Sequence, residues 1–337
     1  MNTGRILVNA VPFYMHGANY PWMIKDGASN YGFDFGVDPR GAHHGVRTNQ
    51  DRVEQDFLAM HGLGFNTLRW FVFTDGRGGI RFDDNGRPSG LADKFFDDMD
   101  VVLELANTYG IKIIFVLLDF LWMRDQPHDA PNHSHVLKSE TGQDELIEKV
   151  FQPVFLRYSD HPAILAWEVM NEPDWIVEGL DLDRTKVAEP ISLVLFKSFI
   201  RKVSDAVHYY TQSKVTVGGC RIKFAHVWDD DALALDFLQV HTYNDFLNNS
   251  WDDILFGKSF HEMNLKRPLL IGEFSTNASQ AFKENKKATA IPLSAYLDFS
   301  LTNGYAGCLY WSYNNVDKCG AEDVTALKEW SVRALMT

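Results

Sequence analysis

Cysteine, basic charge and long apolar runs are all scarce in this chain of 337 residues. Its three cysteines, Cys220, Cys308 and Cys319, are an odd number without a Cys-x-x-Cys pair, so we expect neither a disulfide framework nor a thiolate zinc site. No apolar run reaches the roughly 18 residues that a membrane-spanning helix needs. The net charge of −13 leaves no basic surplus, and neither nucleic acid nor a membrane is expected as a partner.

A signal peptide is also not evident at the start of the sequence. The segment Met1–Gly17 lacks the basic start and the long apolar stretch of such a peptide, because Arg5 and Asn9 interrupt it. The sequence as it stands predicts a cytoplasmic protein, or a secreted or periplasmic one whose signal has been removed. It leaves the oligomeric state open.

Apolar and aromatic residues, in contrast, are plentiful. Apolar residues make up 45% of the chain and aromatic residues 13%, with 9 Trp and 12 Tyr. Aromatic faces form stacking platforms in sugar-binding clefts, and they also fill ordinary cores. The aromatic content is therefore compatible with a carbohydrate substrate without requiring one.

Eight short apolar runs, typical of buried parallel strands, alternate with amphipathic helical stretches. The predicted strands are Phe13–Ala18, Thr67–Phe73, Lys112–Leu118, Ile164–Met170, Lys214–Gly218, Phe237–His241, Leu269–Glu273 and Gly307–Trp311. Among the helices, Asp93–Tyr109 is predicted to begin with Asp93 as its N-cap, and another is predicted over Asp144–Tyr158. Eight such units without a linker predict a single (β/α)8 TIM barrel over residues 1–337, with residues 1–10 as a hairpin or plug at its N-terminal face.

Two glutamates stand at the carboxyl ends of predicted strands. Glu172 follows the run Ala166–Asn171, and Glu273 follows the run Pro268–Gly272. A TIM barrel carries its chemistry at these strand ends. Two carboxylates that face each other across the barrel mouth are typical of an acid/base paired with a nucleophile, as in a retaining glycosidase.

The strand-end segments resemble glycoside hydrolase family 5 and its relatives in clan A, the (β/α)8 retaining β-glycosidases. The matching segments, in the order of that family, are Asn66–Arg69, Trp167–Pro173, Val240–Tyr243, Ile271–Phe274 and Tyr310–Trp311. They extend from the second strand to the eighth, so the resemblance covers essentially the whole chain.

The resemblance implies a role for each matched residue. Glu172 is expected to be the acid/base and Glu273 the nucleophile, with Arg69 and Tyr243 holding Glu273 ionised and oriented. Further roles are expected for Asn171 at the sugar 2-hydroxyl, His241 beside Glu172, and Trp311 beneath the reacting sugar. Trp175, three residues beyond Glu172, is the preferred candidate for lining another sugar subsite. Glu168 is interpreted as structural.

The third strand departs from the cellulase-like members of the family, which usually carry a histidine at its end. Here Asp119 or Trp122 is expected to occupy that part of the site. Together with the early segment Gly17–Tyr20 and the lead-in Ile164–Glu168, this favours the β-mannanase-like members. We therefore expect a β-mannan or β-mannoside substrate first and a β-glucan second.

The resulting hypothesis is a retaining hydrolase of β-linked hexose oligosaccharides or polysaccharides that needs no cofactor and no metal. The histidine pairs His43–His44 and His133–His135 are interpreted as solvated loop residues rather than ligands. Two alternatives stay open: a transglycosylase that forms the same covalent intermediate, and a catalytically inactive carbohydrate-binding barrel. Endo or exo action is likewise open.

Overall fold

A closed barrel of eight parallel strands forms the centre of the molecule. The computed structural model describes residues 4–23, 32–37, 45–124, 132–180, 189–243, 252–274, 292–316 and 325–334. We number the barrel strands 1 to 8 along the chain: Met15–Asn19, Thr67–Phe71, Lys112–Asp119, Ile164–Asn171, Lys214–Gly219, Leu238–Thr242, Leu269–Phe274 and Gly307–Tyr310. Each coincides with a predicted strand to within two residues at either end. The prediction of a (β/α)8 barrel is confirmed.

The barrel closes where barrel strand 8 pairs with barrel strand 1, Gly307 lying opposite Met15 and Tyr310 opposite Ala18. Gly307 has φ 157°, and a Cβ atom there would lie 2.0 Å from the carbonyl oxygen of Met15. Gly17 has φ 154°, and a Cβ atom on it would lie equally close to the Thr67 carbonyl oxygen, at 2.0 Å. Only glycine therefore fits at these two positions on either side of the seam.

Helices surround the strands. The α-helices are Gln50–Gly62, Phe95–Tyr109, Ser134–Leu137, Glu140–Leu146, Gln152–Arg157, Leu193–Tyr210, Ala225–Trp228, Asp252–Phe256, Leu293–Thr302 and Thr325–Ala334, and Ile147–Phe151 is a π-helical turn. Short 3₁₀ turns are Val46–Asn49, Phe120–Met123, Pro173–Trp175, Ile222–Phe224, Asp231–Leu233 and His261–Met263. Within the described residues, none of the helices has both the length and the apolar character needed to cross a membrane.

Two predicted helix starts were wrong. Asp93 does not cap the second long helix; its N-cap is Lys94, which has φ 68° and makes no side-chain cap hydrogen bond. The helix predicted from Asp144 begins earlier, at Glu140, because the Ser139 hydroxyl accepts a hydrogen bond from the Gly142 amide. A serine cap satisfies one of the amides that a helix start leaves unpaired, and this cap is encoded locally.

An antiparallel hairpin lies at the opposite end of the barrel from the strand ends that carry the glutamates. It pairs Ile6–Val8 with Val11–Phe13 around the two left-handed residues Asn9 and Ala10. Ile6 is 3% exposed and packs in one buried cluster with side chains of the barrel interior, among them Met15. The hairpin therefore covers the apolar interior at the N-terminal face. Cys220 and Cys308 are buried free thiols, whereas Cys319 lies outside the described residues.

Candidate active site

Glu273 lies near the end of barrel strand 7 and is 4% exposed. Its Oε1 accepts a hydrogen bond from Nη1 of Arg69 at 2.6 Å, and its Oε2 accepts one from the Tyr243 hydroxyl. Burial raises the pKa of Glu273, and the neighbouring His241 and the positive charge of Arg69 oppose that effect. The two donors fix the direction of a carboxylate that the barrel has largely removed from water.

Arg69 on barrel strand 2 is fully buried and uses all five of the N–H donors that a guanidinium offers. Nε and Nη2 donate to the two oxygens of Glu168 at 2.7 and 2.6 Å. Nη1 donates to Asn19 Oδ1 at 2.9 Å and to Glu273 at 2.6 Å, and the second Nη2 proton goes to Asn171 Oδ1 at 2.7 Å. The side chain is therefore held in one orientation by partners on three other strands.

Replacing Arg69 by lysine should impair the site although the charge is kept. An ammonium group has three donors on one atom and cannot reproduce the planar fork. Loss of two charge-assisted hydrogen bonds, each worth about 1.5–3 kcal/mol, predicts a fall in kcat/KM on the order of 10²- to 10⁴-fold. Steady-state kinetics would measure it. The matched control is Arg157→Lys, whose ion pair with Asp100 is exposed; an unchanged kcat/KM in Arg69→Lys would assign Arg69 to stability alone.

Glu172 immediately follows barrel strand 4 and adopts a left-handed backbone with φ 46° and ψ 50°. Its amide donates to the Gly218 carbonyl oxygen at 2.7 Å, which holds this uncommon conformation. Its Oε1 lies 2.8 Å from Nδ1 of His241, and its Oε2 accepts from the Trp175 indole N–H at 2.6 Å. Burial raises the pKa of Glu172, and the hydrogen bonds from Trp175 and the Cys220 thiol work against that rise.

His241 connects the two glutamates. Its Nδ1 lies 2.8 Å from Glu172 Oε1 and 3.5 Å from Glu273 Oε2. Burial lowers the pKa of His241 to about 4, so the imidazole is neutral near pH 7. Within the described part of the chain, Glu172, His241 and Glu273 form a group with ligand atoms all within 4.8 Å of one another, the one place found that could hold a metal ion.

The pair His133–His135 was expected to be solvated, but this was wrong for His133, which is 3% exposed. His133 stacks on Phe82, and burial lowers its pKa to about 4. Nε2 of His135 is 2.9 Å from the Gly86 carbonyl oxygen. The pair His43–His44 lies outside the described residues.

Asn171 is oriented from both sides. Its Oδ1 accepts from Arg69, and its Nδ2 donates to Asp119 Oδ2 at 2.7 Å. Asp119 is held in turn by the Leu121 amide at 2.9 Å. Burial raises the pKa of the Asp119 carboxyl well above its usual range, and the neighbouring glutamates add to this. Asp119 thus fills the end of barrel strand 3 as an orienting partner of Asn171.

The predicted aromatic residues take different positions. Trp311 is 7% exposed and lies edge-on to Trp22 and Phe71 at the barrel mouth. Trp175 is half-buried against Glu172. Trp122 is fully buried, and its indole N–H donates to the Phe73 carbonyl oxygen at 3.1 Å. Trp122 is therefore closed off from the cleft, contrary to the expectation that it occupies the site.

Asn19 and Gln239 were not predicted to belong to this network, and Glu168 was interpreted only as structural. Glu168 binds the Arg69 fork, Asn19 accepts from the same guanidinium, and Gln239 donates to Glu168 at 2.7 Å. All three are almost fully buried polar side chains inside strands. A polar residue in an otherwise apolar strand is the available signal, because burying it requires a partner.

The comparisons with known proteins agree with this fold. No family profile matches the chain. The chain is 24% identical over 350 residues to a mannan endo-1,4-β-mannosidase of Mytilus edulis, covering 91% of this chain and 86% of that protein. It is 24% identical over 344 residues to another from Cryptopygus antarcticus, covering 91% and 82%.

The structure matches a β-1,4-mannanase of the sea hare Aplysia kurodai with a TM-score of 0.76 at 21% identity, covering 98% of this chain and 96% of that one. This likeness shows the shared barrel fold. With the two sequence relatives, it confirms the predicted resemblance to the β-mannanase-like proteins of family 5.

Proposed function

We propose that this chain, a β-mannanase-like protein of the family 5 type, is a retaining glycoside hydrolase that acts on β-linked mannose oligosaccharides or polysaccharides. The main support is that carboxylate oxygens of Glu172 and Glu273 lie within 4.8 Å of each other and of His241. Retaining enzymes have carboxyl groups roughly 5–5.5 Å apart, whereas inverting enzymes leave roughly 6.5–9.5 Å for a water molecule. The short separation favours the retaining mechanism.

In the first step, a carboxylate oxygen of Glu273 attacks the anomeric carbon while the glycosidic C–O bond breaks. Glu172 gives its proton to the departing oxygen, and a glycosyl ester forms on Glu273. The fixed donors from Arg69 and Tyr243 keep Glu273 ionised and aimed. Asn171, oriented on both sides, is available to hold the sugar 2-hydroxyl as positive charge develops on the ring.

In the second step, water attacks the anomeric carbon of the ester, and Glu172 accepts a proton from it. The ester bond breaks, Glu273 returns as a carboxylate, and the product keeps the β configuration. The charge of Glu273 is absent during this step, and each glutamate raises the pKa of its neighbour by repulsion. The pKa of Glu172 therefore falls when the ester forms, which suits its change from acid to base.

The pH dependence of kcat/KM should be bell-shaped. Glu273 must be ionised, so activity is lost as the pH falls through its pKa; Glu172 must be protonated, so activity is lost as the pH rises through its pKa. Burial raises the pKa of both, which places both limbs above the value of about 4.3 for a free glutamate. Initial rates on an aryl β-mannoside at each pH would measure this, with re-assay at the optimum as a control for unfolding. An acid limb below pH 4 would contradict it.

The proposed function is tested with aryl β-mannosides, aryl β-glucosides and defined β-mannan and β-glucan oligosaccharides. Proton NMR during cleavage should show the β anomer as the first product, and the mannosides should be the better substrates. Initial release of the α anomer would overturn the retaining mechanism. Preferred cleavage of the glucans would overturn the substrate assignment while leaving the mechanism in place.

A further inference from the structure

A second carboxylate shares the arginine that holds the proposed nucleophile. Glu168 lies on barrel strand 4, and its side chain is 0% exposed. Its two oxygens accept from Nε and Nη2 of Arg69 at 2.7 and 2.6 Å, while Nη1 of the same guanidinium reaches Glu273 at 2.6 Å. One buried positive charge therefore lies between two acidic side chains.

The surroundings leave Glu168 no other position. A Cβ atom on Gly218 of barrel strand 5 would lie 2.1 Å from Glu168 Oε1 and 3.1 Å from Arg69 Nη2. On the other side, Gln239 Nε2 donates to Glu168 Oε2 at 2.7 Å. Three donors and the backbone of Gly218 thus enclose the Glu168 carboxylate. The paired carboxylate and guanidinium cannot rotate without losing several hydrogen bonds at once.

We propose that Glu168 is a positioning residue for the reaction: it fixes the Arg69 fork so that Nη1 meets Glu273 and Nη2 meets Asn171, and it shares the arginine charge with the nucleophile. This rests on the proposed function of Glu273. An arginine paired with the nucleophile alone would stabilise the Glu273 carboxylate more strongly and so make it a weaker nucleophile. The paired Glu168 offsets part of the charge while keeping the geometry.

The pH dependence of Glu273 depends on every charged or titratable group around it. In the described residues these are Arg69 on barrel strand 2, Asp119 at the end of strand 3, Glu168 on strand 4 with Glu172 after it, and His241 with Tyr243 at the end of strand 6. Glu168 is the member of this group that is placed to act on Glu273 through the guanidinium, since its hydrogen bonds go to Arg69 and Gln239.

The variant Glu168→Gln tests whether the negative charge of Glu168 affects Glu273. It removes one negative charge from Arg69 while keeping the shape, so the arginine charge acts more fully on Glu273 and favours its ionised form. The acid limb of kcat/KM should move to lower pH by about one unit, and kcat should fall by about 10- to 100-fold, as is usual when an orienting partner is lost. An acid limb that stays in place or moves upward would overturn the charge-sharing role.

The double variant Glu168→Gln/Gln239→Glu separates charge from geometry. It returns a negative charge to the same buried cluster, but on a side chain whose hydrogen bond goes to residue 168 and not to Arg69. The acid limb should return toward its original position while kcat stays low. Full recovery of kcat would show that the two-oxygen fork is not needed, and would overturn that part of the proposal.

Asp98→Asn is the matched control for losing a buried carboxylate elsewhere. Asp98 is 0% exposed and accepts from the amides of Gly36 and Arg47, away from Arg69. This variant should lose stability without moving either limb, and a Glu168→Gln variant that behaves in the same way would be structural only. If Glu168→Gln does not fold, Glu168→Asp is the alternative, because it keeps the negative charge on a shorter side chain. It should show the original acid limb with a lowered kcat. An unchanged kcat would show that the two hydrogen bonds from Arg69 to residue 168 do not position the site.

The same shift can be read without turnover. Carboxyl ¹³C NMR of glutamate-labelled protein, with the Glu273 resonance assigned by Glu273→Gln, should show Glu273 titrating at lower pH in Glu168→Gln than in the original protein. A protein that cleaves no mannoside would contradict the proposed function, and this titration would still decide the coupling between Glu168 and Glu273.

Discussion

Replacing Glu273 by alanine is expected to abolish hydrolysis of β-mannosides, and added azide is expected to restore part of it. Loss of a covalent nucleophile typically costs on the order of 10⁶-fold in kcat. The truncated side chain leaves space beside Arg69 and Tyr243, the two donors that bound the lost carboxylate. A small anion in that space can attack the anomeric carbon once, which inverts it, so the product should be the α-mannosyl azide.

The measurement is release of an activated phenol with and without azide, followed by NMR of the glycosyl product. Glu104→Ala is a control, because Glu104 is exposed on the helix Phe95–Tyr109 and should leave the rate unchanged. Recovery of a β-mannosyl azide, or a Glu273→Ala variant that keeps most of its activity, would remove Glu273 from the nucleophile role. Glu273→Gly and formate provide a second pairing if azide does not enter.

Glu172→Gln is expected to slow cleavage according to the leaving group. Glutamine cannot give a proton to the departing oxygen, and general acid catalysis contributes about 10²- to 10⁴-fold. Mannan oligosaccharides, whose leaving groups are poor, should lose activity over that range. A dinitrophenyl β-mannoside needs little protonation, so its glycosylation step should change much less, and the glycosyl ester should accumulate because the base for the second step is also missing.

Azide again identifies the residue by stereochemistry. In Glu172→Gln it attacks the ester on Glu273, which adds a second inversion, so the product should be the β-mannosyl azide. Pre-steady-state kinetics on the dinitrophenyl substrate should show a burst. Equal losses on good and poor leaving groups, without a burst, would show that Glu172 is not the proton donor.

The barrel could be predicted from sequence because each strand is an apolar run bounded by turn residues, and because Glu172 and Glu273 fall at the strand ends where such folds carry polar groups. Helix starts were less predictable. Asp93 is a favourable capping residue by type, but the chain turns one residue later, where Lys94 takes φ 68°. Cap preference is worth about 1 kcal/mol, and the packing of a loop easily overrides it.

The interior polar network was harder to predict. Glu168 was interpreted as structural because it lies four positions before Glu172, away from the pair at the barrel mouth. Its partner Arg69 lies 99 positions away in the sequence, and the supporting Gln239 a further 71 positions from Glu168. Trp122, in contrast, was predicted to line the cleft because it lies just beyond a strand end. It is buried instead, within the 3₁₀ turn Phe120–Met123. The direction in which such a side chain points depends on contacts between distant segments that form only when the barrel closes.

The seam between barrel strands 8 and 1 also has a consequence for biosynthesis. Strand 1 leaves the ribosome early, yet its partner is not available until Gly307–Tyr310 has been made. Throughout that interval Met15–Asn19 carries an open edge of unpaired amides and carbonyls, and open edges recruit strands from other chains. Aggregation of the nascent polypeptide is therefore a hazard to control in recombinant expression, and slower synthesis at low temperature or added chaperones address it directly.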